Sequence, residues 1–110
     1  MGRYRSSLQI TADVLSVTAN GAKKVEIMFK ANLSYTLLSQ YLNKLVDAAL
    51  VSFEDTSDSY RLTRKGQEFL DRFSEYSMLC KKLNNQLDDV NDEKKALKRM
   101  IDSGFADESE

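Results

Sequence analysis

Proline and histidine are absent from this chain of 110 residues, and cysteine occurs once. Without imidazole or several thiolates, the sequence lacks the residues for most zinc sites and for Ser-His or Cys-His nucleophilic catalysis. The four glycines, at positions 2, 21, 66 and 104, lie too far apart to form a phosphate-binding loop. We therefore expect a protein that is not an enzyme and that uses no cofactor, metal ion or small-molecule ligand.

A long hydrophobic run is also missing. No segment approaches the roughly 18 consecutive apolar residues that suggest a helix spanning a bilayer, and no apolar signal segment follows the first seven residues. A single cysteine cannot form an internal disulfide bond, which agrees with a reducing compartment. These absences predict a cytoplasmic protein with no membrane partner.

Charge is nearly balanced overall, at a formal net charge of −1, but it is unevenly distributed. Residues 1–66 hold nine Lys or Arg against six Asp or Glu, whereas residues 67–110 hold seven against eleven. The first part is the one better suited to binding a polyanion. An imbalance of this size is also common on an ordinary solvated surface.

The most regular feature that is present is an apolar repeat with alternating steps of four and three residues. It contains Phe69, Phe73, Tyr76, Cys80, Leu83, Leu87, Val90, Lys94, Leu97 and Ile101. No proline or glycine interrupts residues 67–103, and the mean period of about 3.5 residues is that of a left-handed coiled coil. A helix about 50 Å long is too long to be covered by the 66 residues before it, which predicts a second copy of the chain as partner. The alternative is one amphipathic helix packed on its own domain.

We predict a homodimer interface formed by most of these apolar positions. Its members are Phe73, Tyr76, Cys80, Leu83, Leu87, Val90, Leu97 and Ile101. The flanking charges leave the direction of pairing open. Arg72 opposite Glu93 suits an antiparallel pair, whereas Glu93 opposite Lys98 suits a parallel pair.

The first thirty residues predict two helices. Ser6 or Ser7 is a suitable N-cap for the first, and Asn20-Gly21 is a typical helix end. A short second helix is predicted from Lys23 to Lys30. The apolar residues expected to face inward on this second helix are Val25, Met28 and Phe29.

A tight corner at residues 31–33 precedes a third helix, predicted from Ser34 to Ala49. Leu38, Leu42 and Leu45 recur at helical spacing and predict its buried face. The opposite face is polar and mostly uncharged, which suits hydrogen bonding to base edges. It carries Thr36, Ser39, Gln40, Asn43, Lys44 and Asp47.

Two short segments that favour β-structure, residues 50–53 and 60–62, flank six polar residues and predict a hairpin. Thr63 stands at the N-cap position of the long helix, and Gly66 in its first turn predicts a close backbone approach. The order helix, helix, corner, helix, hairpin is that of a winged helix-turn-helix. We predict a mainly α (α+β) fold with a winged helix-turn-helix domain at 1–66, a dimerisation helix at 67–103 and an acidic disordered tail at 104–110.

The segments ANLSYTLL (31–38) and YRLTRKG (60–66) resemble the small archaeal winged-helix DNA-binding proteins of the ten-kilodalton chromatin type. The similarity extends from Leu8 to Leu87. It implies a homodimer joined by an antiparallel coiled coil, with a winged helix at each end and double-stranded DNA as ligand. The expected function is transcription regulation or organisation of the nucleoid, and the alternative is a protein-interaction adaptor without DNA affinity.

The resemblance also implies which residues contact DNA. The positions that match the recognition element are Ser34, Tyr35, Thr36, Ser39, Gln40, Asn43 and Lys44. Three have structural alternatives, because Ser34 also suits an N-cap, Tyr35 a core position and Lys44 a solvated charge. The amides of Gln40 and Asn43 are the best candidates for base contacts.

Six basic residues are candidates for phosphate contacts. These are Lys23, Lys24, Lys30, Arg61, Arg64 and Lys65. The wing tip departs from the family pattern, because it holds Glu54, Asp55 and Asp58 and no basic residue. Either Arg61 makes the backbone contact there, or the wing stays clear of DNA and a basic arm, Arg3 and Arg5, assists the third helix.

Overall fold

The computed structural model describes the backbone of residues 5–108 and the side chains of residues 5–103. The elements are α1 (Ser7–Val17), a short 3-10 helix (Thr18–Asn20), α2 (Lys24–Lys30), α3 (Tyr35–Asp47), β1 (Val51–Glu54), β2 (Ser59–Leu62) and α4 (Arg64–Glu108). This is the predicted order, and the predicted winged-helix fold with a long C-terminal helix is confirmed. The chain divides into two compact units, Met1–Ser74 and Glu75–Glu110.

The core of the first unit gathers one apolar face from each of the first three helices and the start of the wing. Its buried members are Val14, Leu15, Ala22, Ile27, Ala31, Leu38, Leu42, Leu45 and Val51. Phe69 and Leu70, from the beginning of α4, pack against it. The three leucines predicted for the inner face of α3 are therefore confirmed, and burying them turns the polar face of α3 outward.

One part of the prediction for α2 is wrong. Val25 and Phe29 are exposed, with 73% of Phe29 accessible, whereas Ile27 is fully buried. In a helix each residue is rotated by about 100° from the last, so positions two residues before and after Ile27 lie on the opposite side. A helix of seven residues that buries Ile27 therefore exposes Val25 and Phe29.

The corner between α2 and α3 is closed by backbone hydrogen bonds. The Asn32 amide donates to the Phe29 carbonyl at 3.3 Å, and the Leu33 amide donates to the Met28 carbonyl at 3.0 Å. This is the Schellman pattern, which requires a left-handed residue, and Asn32 has φ +56°. Two residues later Ser34 caps α3, since its hydroxyl oxygen accepts from the Leu37 amide at 3.2 Å.

The wing is a two-stranded antiparallel sheet whose second strand is also bonded to Ala22. Val51 pairs with Leu62 and Phe53 with Tyr60, and the rings of Phe53 and Tyr60 lie 4.9 Å apart. The Ala22 amide donates to the Tyr60 carbonyl at 2.9 Å, and the Tyr60 amide donates back at 2.8 Å. These bonds join the wing to the segment that precedes α2.

Helix α4 starts where the sequence suggests and continues further. Thr63 is its N-cap, because the hydroxyl oxygen accepts from the Gly66 amide at 3.0 Å. A Cβ at Gly66 would overlap the Leu50 carbonyl oxygen, so the predicted close approach is confirmed. The helix runs to Glu108, past Gly104, where the sequence predicts a disordered tail; one glycine costs a helix only about 1 kcal/mol. Within residues 5–108, no helix has the length and apolarity to cross a membrane.

Candidate nucleic-acid interface

The outer side of α3 presents exposed polar side chains, Asp47 among them, and we call four of the others the reading face. Its members are Thr36, Gln40, Asn43 and Lys44. They recur at spacings of three and four, so one side of the helix carries them all. Among the residues whose side chains the structure describes, none forms a hydrogen bond or ion pair with these four side chains. Their donors and acceptors are therefore available to a ligand.

Three other predicted contact residues of α3 have roles within the protein. Ser34 is the N-cap, and the Ser39 hydroxyl donates to the Tyr35 carbonyl at 2.9 Å. Tyr35 is not a core residue, since 61% of it is exposed. The Lys24 ammonium lies 3.9 Å from the centre of the Tyr35 ring, a cation–π contact. Tyr35 and Lys24 thus form a joint basic and aromatic surface beside the start of α3.

Apart from Lys24, which contacts Tyr35, and Lys65, the six predicted phosphate-binding residues fall into two groups. Lys23 and Arg64 are exposed, and within residues 5–103 their side chains have no ion-pair partner. Lys30 is paired with Glu26 at 3.0 Å, and Arg61 with Glu54 at 3.3 Å. Both pairs are about half exposed, so water and salt weaken them and a phosphate can replace the carboxylate. The sixth residue, Lys65, donates to the Ala48 carbonyl at 2.7 Å and thereby caps the end of α3.

The acidic wing therefore contains its own counter-charge. Glu54 pairs with Arg61, and the Ser57 hydroxyl donates to the same carboxylate at 3.1 Å. The Arg61 guanidinium lies against Gly21, where an added Cβ would come within 3.0 Å of its nitrogen. Gly21 has φ +84°, a backbone conformation that favours glycine. Asp55 and Asp58 remain exposed at the wing tip.

Arg5 does not extend as a free arm. Its guanidinium bonds to Asp13 and to the carbonyls of Ala31 and Asn32. The other half of the predicted arm, Arg3, lies outside the described residues. The sequence carries a weak signal for this role, because Asp13 is the one acidic residue in α1, but nothing in the spacing of Arg5 and Ala31 indicates that they meet.

The predicted dimer residues from Tyr76 onward are exposed in the second unit. Tyr76, Leu83, Leu87, Val90, Leu97 and Ile101 are each between 50% and 65% accessible. Cys80 is half-buried. A side-chain hydrogen bond between Tyr76 and Cys80, together with the electrostatic interaction between them, raises the pKa of Tyr76. Phe73, in the first unit, stacks on Phe69 with ring centres 6.3 Å apart. An isolated α4 would leave this stripe in water, which is unfavourable for large apolar side chains.

Comparisons with known proteins agree with the winged-helix fold. A family model described as winged helix-turn-helix matches residues 4–81. Among solved structures, Sso10a-2, a DNA-binding protein from Sulfolobus solfataricus, superposes with a TM-score of 0.74 and 20% sequence identity over 80% of this chain and 95% of that chain. At this identity the superposition speaks for the fold. No curated protein sequence matches the chain.

Proposed function

The chain belongs to the winged helix-turn-helix family, and we propose that it is a non-enzymatic, homodimeric protein that binds duplex DNA with α3 in the major groove. The similar solved structure is that of a protein described as DNA-binding, which supports this proposal. In this role the protein is associated with the nucleoid and needs no cofactor. Its role is either regulation of transcription or organisation of DNA.

The observation that carries the proposal is the reading face. Gln40 and Asn43 present exposed amides that bond no other described side chain or backbone group, and an amide can form two hydrogen bonds to the major-groove edge of adenine. The neighbouring Lys44 supplies positive charge for the phosphates beside the groove. Because Leu38, Leu42 and Leu45 fix the other side of α3 in the core, the helix can enter a groove without unfolding.

Phosphate contacts are assigned to four of the predicted basic residues. Lys23 and Arg64 are available as they stand, whereas Lys30 and Arg61 exchange a carboxylate for a phosphate on binding. The two half-exposed ion pairs each contribute about 0 to 1 kcal/mol, so this exchange costs little. Such contacts orient the protein on DNA without reading sequence.

The dimer is proposed to form through the apolar stripe of α4. The exposed positions repeat with steps of three and four, and a second copy of the same helix has the same repeat to offer. A dimer carries two copies of α3, which allows two contacts with one duplex. Sedimentation equilibrium at micromolar concentration should give twice the chain mass of 12.5 kDa. A mass near 12.5 kDa, with melting that does not depend on concentration, would rule out the dimer.

Fluorescence anisotropy with a labelled random-sequence duplex tests DNA binding directly. Binding that weakens steeply between about 50 mM and 200 mM salt is expected, since each phosphate contact adds about 0.9 to the slope of log K against log salt. Comparable affinity for many sequences would indicate an architectural protein, and a preferred pair of half-sites at fixed spacing would indicate a regulator. An absence of binding at low salt would exclude the proposed function.

Two sets of variants separate phosphate contacts from base contacts. Lys44→Ala combined with Arg61→Ala should lower the salt slope and weaken binding to all sequences alike. Gln40→Ala or Asn43→Ala should instead reduce the preference between sequences. If neither amide variant alters the preference, these two residues do not read bases.

The acidic wing favours a second candidate, a protein-interaction adaptor without DNA affinity. Asp55 and Asp58 are exposed at the wing tip, where phosphates would be repelled. The same anisotropy titration distinguishes the candidates, because an adaptor binds no duplex even at low salt.

A further inference from the structure

Arg5 joins the start of the chain to the corner between α2 and α3. One guanidinium nitrogen, Nη1, donates both to Oδ2 of Asp13 and to the Ala31 carbonyl, each at 2.8 Å. The other terminal nitrogen, Nη2, donates to the Asn32 carbonyl at 2.8 Å. Asp13 is itself oriented from the other side, because its Oδ1 accepts from Nε2 of Gln9 at 2.9 Å.

Arg5 binds the carbonyls of Ala31, the C-cap of α2, and of Asn32, the residue after it. Helix C-termini leave carbonyls without intrahelical partners and carry partial negative charge, so a cation there is stabilising. Asn32 is also the left-handed residue of the corner, with φ +56°. The N-cap of α3, Ser34, follows only two residues later. A change in the corner is therefore transmitted directly to the direction in which α3 leaves it.

We propose that Arg5, oriented by Asp13, is a positioning residue for DNA recognition, which fixes α3 relative to α1 through the corner and contacts no phosphate. This inference rests on the proposed function. Three of the five guanidinium donors are already used within the protein, and about a quarter of the Arg5 side chain is exposed, at 27%. Only two donors remain for any other partner, so most of the hydrogen-bonding capacity of Arg5 serves the corner.

The salt dependence of binding separates positioning from phosphate contact. If Arg5 contacted a phosphate, Arg5→Gln would lower the slope of log K against log salt by about 0.9. If Arg5 positions α3, we expect about tenfold weaker binding with an unchanged slope, because the reading face is misaligned while the phosphate contacts remain. Arg5→Lys keeps the charge but cannot reproduce the planar fork, so it should show an intermediate loss, again with an unchanged slope.

Asp13→Asn gives a test in which the two explanations predict opposite signs. Removing a negative charge strengthens DNA binding if electrostatics alone operates, whereas loss of the Arg5 orientation weakens it. Asp71→Asn is the matched control, because Oδ1 of Asp71 also accepts from a glutamine four residues earlier, Gln67, at 3.1 Å. This control loses the same charge without disturbing the corner and should bind DNA at least as tightly as the wild type.

The experiment is an anisotropy titration of the full chain and each variant with one duplex over a series of salt concentrations at 25 °C. Circular dichroism on the same samples identifies the variants that are fully folded. If Arg5 only stabilised the fold, these folded variants would bind DNA as tightly as the wild type. Arg5→Lys serves if Arg5→Gln does not fold. Wild-type protein that binds no DNA overturns the proposed function and this inference together. Wild-type binding with an undiminished affinity of Asp13→Asn, or a lower slope for Arg5→Gln, overturns the inference alone.

Discussion

Replacing Glu54 with glutamine should strengthen DNA binding, because it releases Arg61. In the free protein the Glu54 carboxylate lies 3.3 Å from Nε of Arg61, and the two side chains are 42% and 48% exposed. An exposed pair of this kind adds at most about 1 kcal/mol to stability. Glu54→Gln should therefore fold normally and differ from the wild type mainly in the availability of the Arg61 guanidinium.

The size of the gain follows from the strength of the Glu54–Arg61 pair. The wild type gives up this pair when Arg61 contacts a phosphate, at a cost of at most about 1 kcal/mol, so its absence in the variant should tighten binding by up to about fivefold with an unchanged salt slope. Anisotropy titrations at four or more salt concentrations measure both the affinity and the slope. The double variant with Arg61→Ala should lose the gain, because the released cation is then missing.

Asp55→Asn is the matched control for this prediction. It removes the same charge from the wing, but the Asp55 carboxylate forms no ion pair within residues 5–103, so no cation is released. We expect a smaller gain in affinity than for Glu54→Gln. Equal gains for Glu54→Gln and Asp55→Asn, or a gain of Glu54→Gln that persists with Arg61→Ala, would show that Arg61 does not contact phosphate and that the reasoning about the wing is wrong.

Three further predictions concern stability and pairing. Gly66→Ala should lower the free energy of unfolding by about 1 to 2 kcal/mol in urea titrations, because the added Cβ overlaps the Leu50 carbonyl oxygen. This loss outweighs the higher helix propensity of alanine, and a variant more stable than the wild type would contradict the prediction. Ala49→Gly should raise stability by about 1 kcal/mol by the same measurement, since Ala49 has φ +64°, and a loss would mean that the strain is absent. Mild oxidation should give no interchain disulfide at Cys80 on a non-reducing gel if α4 pairs antiparallel, as the family resemblance implies. A strong dimer band would indicate parallel helices in register.

Much of the fold could be predicted because its signals are local. The hydroxyls of Ser6, Ser34 and Thr63 stand at the N-termini of three helices and accept the expected amides. The spacing of Leu38, Leu42 and Leu45 identified the buried face of α3, and Gly66 indicated a close backbone approach. In each case the physical cause lies within a few residues of the feature, where sequence spacing is informative.

The errors concern contacts between residues distant in sequence. The face of α2 that is buried, with Ile27 rather than Val25 and Phe29, depends on where α1 and α3 lie. With seven residues, α2 is also too short to give a periodic signal. Arg5 meets Ala31 across 26 positions, a contact that no local pattern predicts. The pairing of Glu54 with Arg61 likewise depends on the hairpin, so the sequence shows an acidic wing tip where the structure has a partly neutralised one.

A nitrogen–proton NMR titration of the labelled protein with duplex DNA tests the central claim most directly, because the side-chain amides of Gln40 and Asn43 give their own signals. These signals and the backbone amides of residues 34–44 should shift most. The side-chain amides of Asn84 and Asn91 on α4 are internal controls and should shift little. Shifts concentrated outside α3, or no shifts at low salt, would contradict the account.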